Sequence, residues 1–150
     1  MNYIDIIGIQ LKDDFLLDLF ETYDVDVKYI YDRTHENIDD EYKASINEMG
    51  LEFLFDKSQK LITLFMKNVN HNGFNPFSDD DPRNTPFKSG EKAIEYAENN
   101  SIQYHHQESK EDGFFGKIPE WIKFDFGRYC IHYQFNKTEV EMVTLQVKNA

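Results

Sequence analysis

Phe55-Asp56-Lys57-Ser58, followed by Leu61-Ile62-Thr63-Leu64-Phe65-Met66-Lys67-Asn68, has a counterpart at the far end of the chain. There Phe135-Asn136-Lys137-Thr138 is followed by Met142-Val143-Thr144-Leu145-Gln146-Val147-Lys148-Asn149. The turn repeats at an offset of 80 and the strand after it at 81, with Thr, Leu, Lys and Asn identical. Tyr42-Lys43 and Ile46 fall on Ile122-Lys123 and Phe126 at the offset of 80. Two hairpins of like composition can match by chance, but this match falls at the end of each half, where a duplication would put it. Two such units bury a continuous sheet face that one alone could not. The expected fold is α+β: two pseudo-repeats, each a helix packed on an antiparallel sheet. One domain, 1–150, is built from half-repeats 1–68 and 89–150, joined by the loop 69–88.

Working outward, residues 3–9 read as a short strand or extended segment. In residues 11–23, Phe15, Leu16, Leu19, Phe20 and Tyr23 share one helical face. Residues 25–31 alternate as a strand does. Residues 42–46, 50–55 and 61–66 follow as strands, the last two joined by a hairpin turn at 56–59. Residues 68–90 hold three of the four prolines and read as a long connection. Ser89 is placed to cap a second helix over 91–99, with Ala93, Ile94, Ala97 and Tyr96 inward. Residues 102–107, 121–126, 128–135 and 140–147 read as strands, and 110–116 as a polar loop carrying Phe114 and Phe115. The expected core includes Phe15, Leu16, Leu19, Phe53, Phe55, Leu64, Ile94, Ala97, Phe124, Ile131, Tyr133 and Leu145.

Composition narrows the function. Of 150 residues, 28 are acidic and 16 basic, a net charge of −12. That argues against unassisted binding to nucleic acid or an anionic membrane, since phosphate contacts need Lys and Arg. The aromatic share of 15% is too rich for a disordered chain. There is no apolar run of membrane-spanning length, and Met-Asn-Tyr-Ile-Asp carries no basic leader. A cytoplasmic protein is the expectation. The charge is uneven: residues 5–41 carry twelve acids against three bases. Asp24, Asp26, Asp39-Asp40-Glu41 and Asp79-Asp80-Asp81 are either solvated loops or a surface shaped for a basic partner.

Chemistry-bearing motifs are sparse. The lone Cys130 rules out an internal disulfide and a Cys-rich zinc site. His35, His71, His105, His106 and His132 lack ligand spacing, and adjacent His105 and His106 point to opposite faces of a strand. No metal or cofactor is expected. Cys130 and His132 share a strand face, but Cys130 sits in an apolar run where a buried thiol is the usual occupant. Phosphate-cradling and nucleophile-elbow motifs are absent. No catalytic residue can be picked out. The aromatics of the Gly- and Pro-bearing loops, Phe74, Phe77, Phe114 and Phe115, either cover the end of a core or anchor a partner.

Phe77, Pro86-Phe87, the helix after Ser89, Trp121-Ile122-Lys123-Phe124 and the closing hairpin make a layout with a familiar look. It resembles small bacterial immunity proteins of polymorphic-toxin and contact-dependent growth inhibition systems. The duplicated plan is similar to the tandem half-repeats of the beta-lactamase inhibitor protein and related lipoprotein domains, although a lipoprotein Cys near the start is lacking. The resemblance implies a non-catalytic cytoplasmic protein that binds and neutralises a cognate toxin domain, often a basic nuclease. Its interface would draw on Asp24, Asp26, Asp39, Asp40, Glu41, Asp79, Asp80 and Asp81, with Phe77 and Phe115 as apolar anchors. Asp39 to Glu41 rank first among the clusters. The alternative is a small-molecule-binding or hydrolytic enzyme with a cavity between helix and sheet.

Overall fold

Period-two alternation of apolar side chains dictates most of this structure, because a strand with one buried face must repeat every second residue. The computed structural model describes residues 3–31, 39–67, 87, 89–114, 116–136 and 139–148. A 3-10 turn at Tyr3–Ile6 precedes helix α1 (Asp14–Thr22), strand β1 (Val27–Ile30) and strand β2 (Glu41–Ile46). A 3-10 turn at Asn47–Met49 leads to β3 (Leu51–Phe55) and β4 (Leu61–Lys67). Helix α2 (Gly90–Asn99) and β5 (Gln103–Gln107) follow. A small hairpin comes next, β6 (Lys110–Asp112) with β7 (Gly116–Ile118). The chain closes with β8 (Trp121–Asp125), β9 (Tyr129–Asn136) and β10 (Glu139–Val147).

Eight strands form one antiparallel sheet in the order β1-β2-β3-β4-β10-β9-β8-β5. The fold is therefore α+β. At its centre, Leu64 on β4 lies opposite Phe53 on β3 and Leu145 on β10, all three fully buried. Helix α1 starts at Asp13, whose carboxylate accepts the Phe15 amide at 3.0 Å. It buries Leu16 and Phe20, four residues apart on one face. The Phe20 ring meets Phe53 edge-on at 5.1 Å and Phe55 at 6.4 Å. Ser89 caps α2 as expected, accepting the Lys92 amide at 3.2 Å. The small Ala93 and Ala97 bring α2 close to the sheet, and Phe87 fills the gap beside them, 5.1 Å from Tyr133 and 5.9 Å from Phe124. Of the expected core, Phe15, Leu19 and Ile94 are only half-buried, at the rim; the other nine are buried.

Both helices end the same way. Asp24 after α1 and Ser101 after α2 adopt the left-handed conformation, with φ of +52° and +55°. The next amide reaches back five residues, Val25 to the Phe20 carbonyl at 2.9 Å and Ile102 to Ala97 at 2.8 Å. This is a Schellman-type stop, in which a non-glycine residue carries the left-handed turn.

Three expectations need correction. Residues 3–9 are not a strand: they begin as a 3-10 turn, and only 8–11 run beside β4 and its turn, through Gly8 to Leu61 and Leu11 to Gln59 at 2.8 Å each. A short apolar run does not tell strand from helix, and Gly8, with φ of +90°, breaks the segment. The segment expected as a polar loop is partly strand: Lys110–Asp112 pairs with Gly116–Ile118 as β6 and β7. Finally, Phe55 faces Leu61 while Phe135 faces Val140, so pairing relates the closing strands at an offset of 79, not 81. The two-residue difference leaves the same face buried.

Candidate functional site

The described acids of the sequence reading gather around one strand. β1 lies at the end of the sheet and pairs, among the described residues, with β2 alone. All four of its residues are exposed, including Val27 at 38%, Tyr29 at 50% and Ile30 at 41%. Asp24 and Asp26 precede its first residue. At its other end Ile30 pairs with Glu41, the first residue of β2, and Asp39 and Asp40 lie just before it. Clusters separated in sequence thus bracket a single edge.

These acids are not equivalent. Asp24 serves the helix stop described above, so its place is fixed by the backbone as well as by any partner. Asp26 is exposed. Asp40 accepts a short hydrogen bond from the Tyr29 hydroxyl, which pushes the phenol up to about 12 because ionised Tyr29 would lose that bond and face the carboxylate. Tyr29 also stacks on Tyr31 at 5.8 Å and touches Tyr42 at 5.1 Å. Asp39 lies 3.7 Å from Lys57 at the surface, a pair worth little. Glu41 belongs to a strand, not to the loop in which the sequence placed it.

Beside this edge an open cleft of about 630 Å³ runs between the turn Tyr23 to Asp26 and the sheet. Its charged lining is mixed: Asp24, Asp26, Glu48 and Glu52 against Lys28 and Lys43. Glu52 is the hub, 3.1 Å from Lys43 and 3.8 Å from Lys67, with Ser45 donating to it at 3.4 Å. Lys43, Ser45 and Glu52 alternate with core residues, so this cleft opens on the sheet face away from the helices. The space beneath α1 is packed by Leu16, Phe20, Phe53 and Phe55.

The helix-free face continues across the second half. Trp121 stacks on His132 at 5.3 Å, and Lys123 lies opposite both His132 and His105. Burial, then Lys123, holds the His132 imidazolium acid. Asp125 is held below the usual carboxylate range by Lys148 at 2.8 Å and by the Gly127 amide. Cys130 shares this face and is half-exposed, not inside the core; burial still pushes its thiol up. A protonated thiol and a neutral imidazole are the reverse of an activated pair. His106, on the helix side, meets Glu120 at 2.7 Å. No group of three His, Cys, Asp or Glu side chains suited to a metal occurs among the described residues.

Phe77, Asp79, Asp80, Asp81 and Phe115 lie outside the described residues, as does Phe74. Phe114, in the β6–β7 turn, is 87% exposed. Sequence reasoning passed over Val27, Tyr29 and Ile30, whose alternation looked like an ordinary half-buried strand. No helix among the described residues is long and apolar enough to cross a membrane. The chain matches no family model, no curated protein and no solved structure.

Proposed function

We propose that this protein is a non-catalytic immunity protein, which binds a basic toxin domain in the cytoplasm and blocks its active site. The observation that carries the reading is the β1 edge: exposed apolar side chains with Asp24 and Asp26 at one end and Asp39, Asp40 and Glu41 at the other. Aromatic and aliphatic groups at the centre of a patch supply affinity, and a charged rim supplies steering and partner choice. A toxin that acts on nucleic acid offers a basic cleft. Carboxylates spaced along a strand can take the place of phosphates there.

The enzyme alternative has less to draw on. The cleft beside β1 is open, and its central carboxylate, Glu52, is already neutralised by Lys43 and Lys67.

We also infer that the chain arose by duplication, each unit being one helix on four strands. The order β1-β2-β3-β4 is mirrored by β5-β8-β9-β10, with β4 and β10 joined at the centre. The paired helix stops support this at an offset of 77. So do Tyr29 with Asp40 and His106 with Glu120, matching edge-strand hydrogen bonds at offsets of 77 and 80.

The test is to co-express the chain with the toxin domain encoded beside its gene. A stoichiometric complex and relief of toxicity are expected. Separate elution at micromolar concentration, with toxicity unchanged, overturns the reading.

A further inference from the structure

We propose that the partner presents an extended basic segment which adds to the outer edge of β1 as a ninth strand of the sheet; this deepens the protein-binding reading and rests on it. An edge strand is a template for a further strand, and proteins normally blunt it with proline, bulges, lysines or a cover. β1 has no proline and one lysine, Lys28, and its register runs without a bulge from Val27 opposite Ala44 to Ile30 opposite Glu41. The opposite edge differs. β5 reads Gln-Tyr-His-His-Gln, a polar strand with none of the exposed apolar side chains of β1.

Charge decides the occupant. A second copy of this chain would bring acids onto acids in either strand direction, because both ends of β1 carry them. With a net charge of −12 on each copy, self-pairing is disfavoured. A basic strand is attracted at both ends. At about 3.3 Å per residue, the four residues of β1 span roughly 13 Å. The fitting segment is therefore a short alternating apolar run with Lys or Arg about five or six residues apart. Main-chain hydrogen bonds would supply affinity and the flanking carboxylates selectivity, as in other strand-addition complexes.

Amide hydrogen exchange followed residue by residue tests this. The probe is a ten-residue peptide with an alternating Val-Thr run and two Lys residues about six positions apart, compared with the same peptide N-methylated at every amide. N-methylation keeps the charge and removes the donors. The unmodified peptide is expected to slow exchange at alternate residues of β1 by about tenfold or more, and the methylated one to bind at least about tenfold more weakly. Equal binding of the two peptides, no binding at low salt, or unchanged exchange in β1 overturns the strand-addition mode. The same exchange measurement on the toxin complex separates the two claims. A complex that leaves β1 exchange unchanged removes this inference and keeps the protein-binding reading; absence of a complex removes the reading itself.

Discussion

Replacing Leu64 by Ala probes the architecture where it is most constrained. Leu64 is fully buried on β4, with Phe53 on one neighbouring strand and Leu145 on the other, both also fully buried. Strands hydrogen-bonded on both sides cannot close in on the vacated space, so the cavity term persists. Leu→Ala in such cores costs about 2–5 kcal/mol, rising with residual cavity volume, and this site belongs in the upper half, roughly 3–5 kcal/mol. For a chain of this size each kcal/mol lowers Tm by about 2–4 °C, so a drop of roughly 6–20 °C is expected. Leu54→Ala, on the opposite face and half-buried, is the control and should cost about 1 kcal/mol. Denaturant titration with an unchanged m-value would show that stability moved and not the unfolded state. A loss under about 0.5 kcal/mol for Leu64→Ala would refute the face assignment of the central strands.

Other outcomes follow from local geometry. Asp24→Gly should be neutral or stabilising by up to about 1 kcal/mol in thermal melts, whereas Asp24→Val should destabilise, because φ of +52° suits Gly and strains a β-branched residue. Gly90→Ala would gain roughly 0.5–1 kcal/mol of helix propensity if space were open. A Cβ there would lie 2.5 Å from Glu120 Oε2, which also bonds His106, so a net loss of stability is expected instead. The Tyr29 hydroxyl is raised in the fold, so its contribution is present below the ordinary tyrosine range and lost as pH climbs toward about 12. Tyr29 and Tyr104, whose hydroxyl donates to Glu98 at 2.9 Å, are both raised, so tyrosinate absorbance should show late-titrating groups of which Asp40→Asn returns only Tyr29 to the ordinary range. Asp125 is shifted the other way: its stabilisation is present above the usual carboxylate range and lost as pH falls through its lowered value. Lys148→Met should flatten that acid dependence in melts followed against pH.

Much of the fold was legible because burial on one face writes itself into alternation. Leu51, Phe53 and Phe55 read as a strand and are buried as one, and Ser89 announced its helix through a short hydroxyl able to accept a free amide of the first turn. Alternation carries no mark of position within a sheet, so Val27 to Ile30 gave no sign of being an edge. The helix ends were read within a residue of Thr22 and Asn99, but the left-handed turns that make them were hidden because Asp24 and Ser101, not Gly, occupy those positions. The candidate site was legible only in pieces. Asp24 and Asp26 stand far along the chain from Asp39, Asp40 and Glu41, and it takes the β1–β2 pairing to set them at two ends of one strand. Charge counting found both groups without relating them.

The most direct measurement of the central claim is binding of the proposed partner, a basic toxin domain, at two salt concentrations. It compares the natural chain with a variant carrying Asp24→Asn, Asp26→Asn, Asp39→Asn, Asp40→Asn and Glu41→Gln. Asn keeps the left-handed turn at position 24, and screening acts over about 8 Å at physiological ionic strength. Affinity is expected to fall at least about tenfold in the variant, with most of the salt dependence lost. Unchanged affinity together with an unchanged salt slope would contradict an acidic β1 edge as the binding surface.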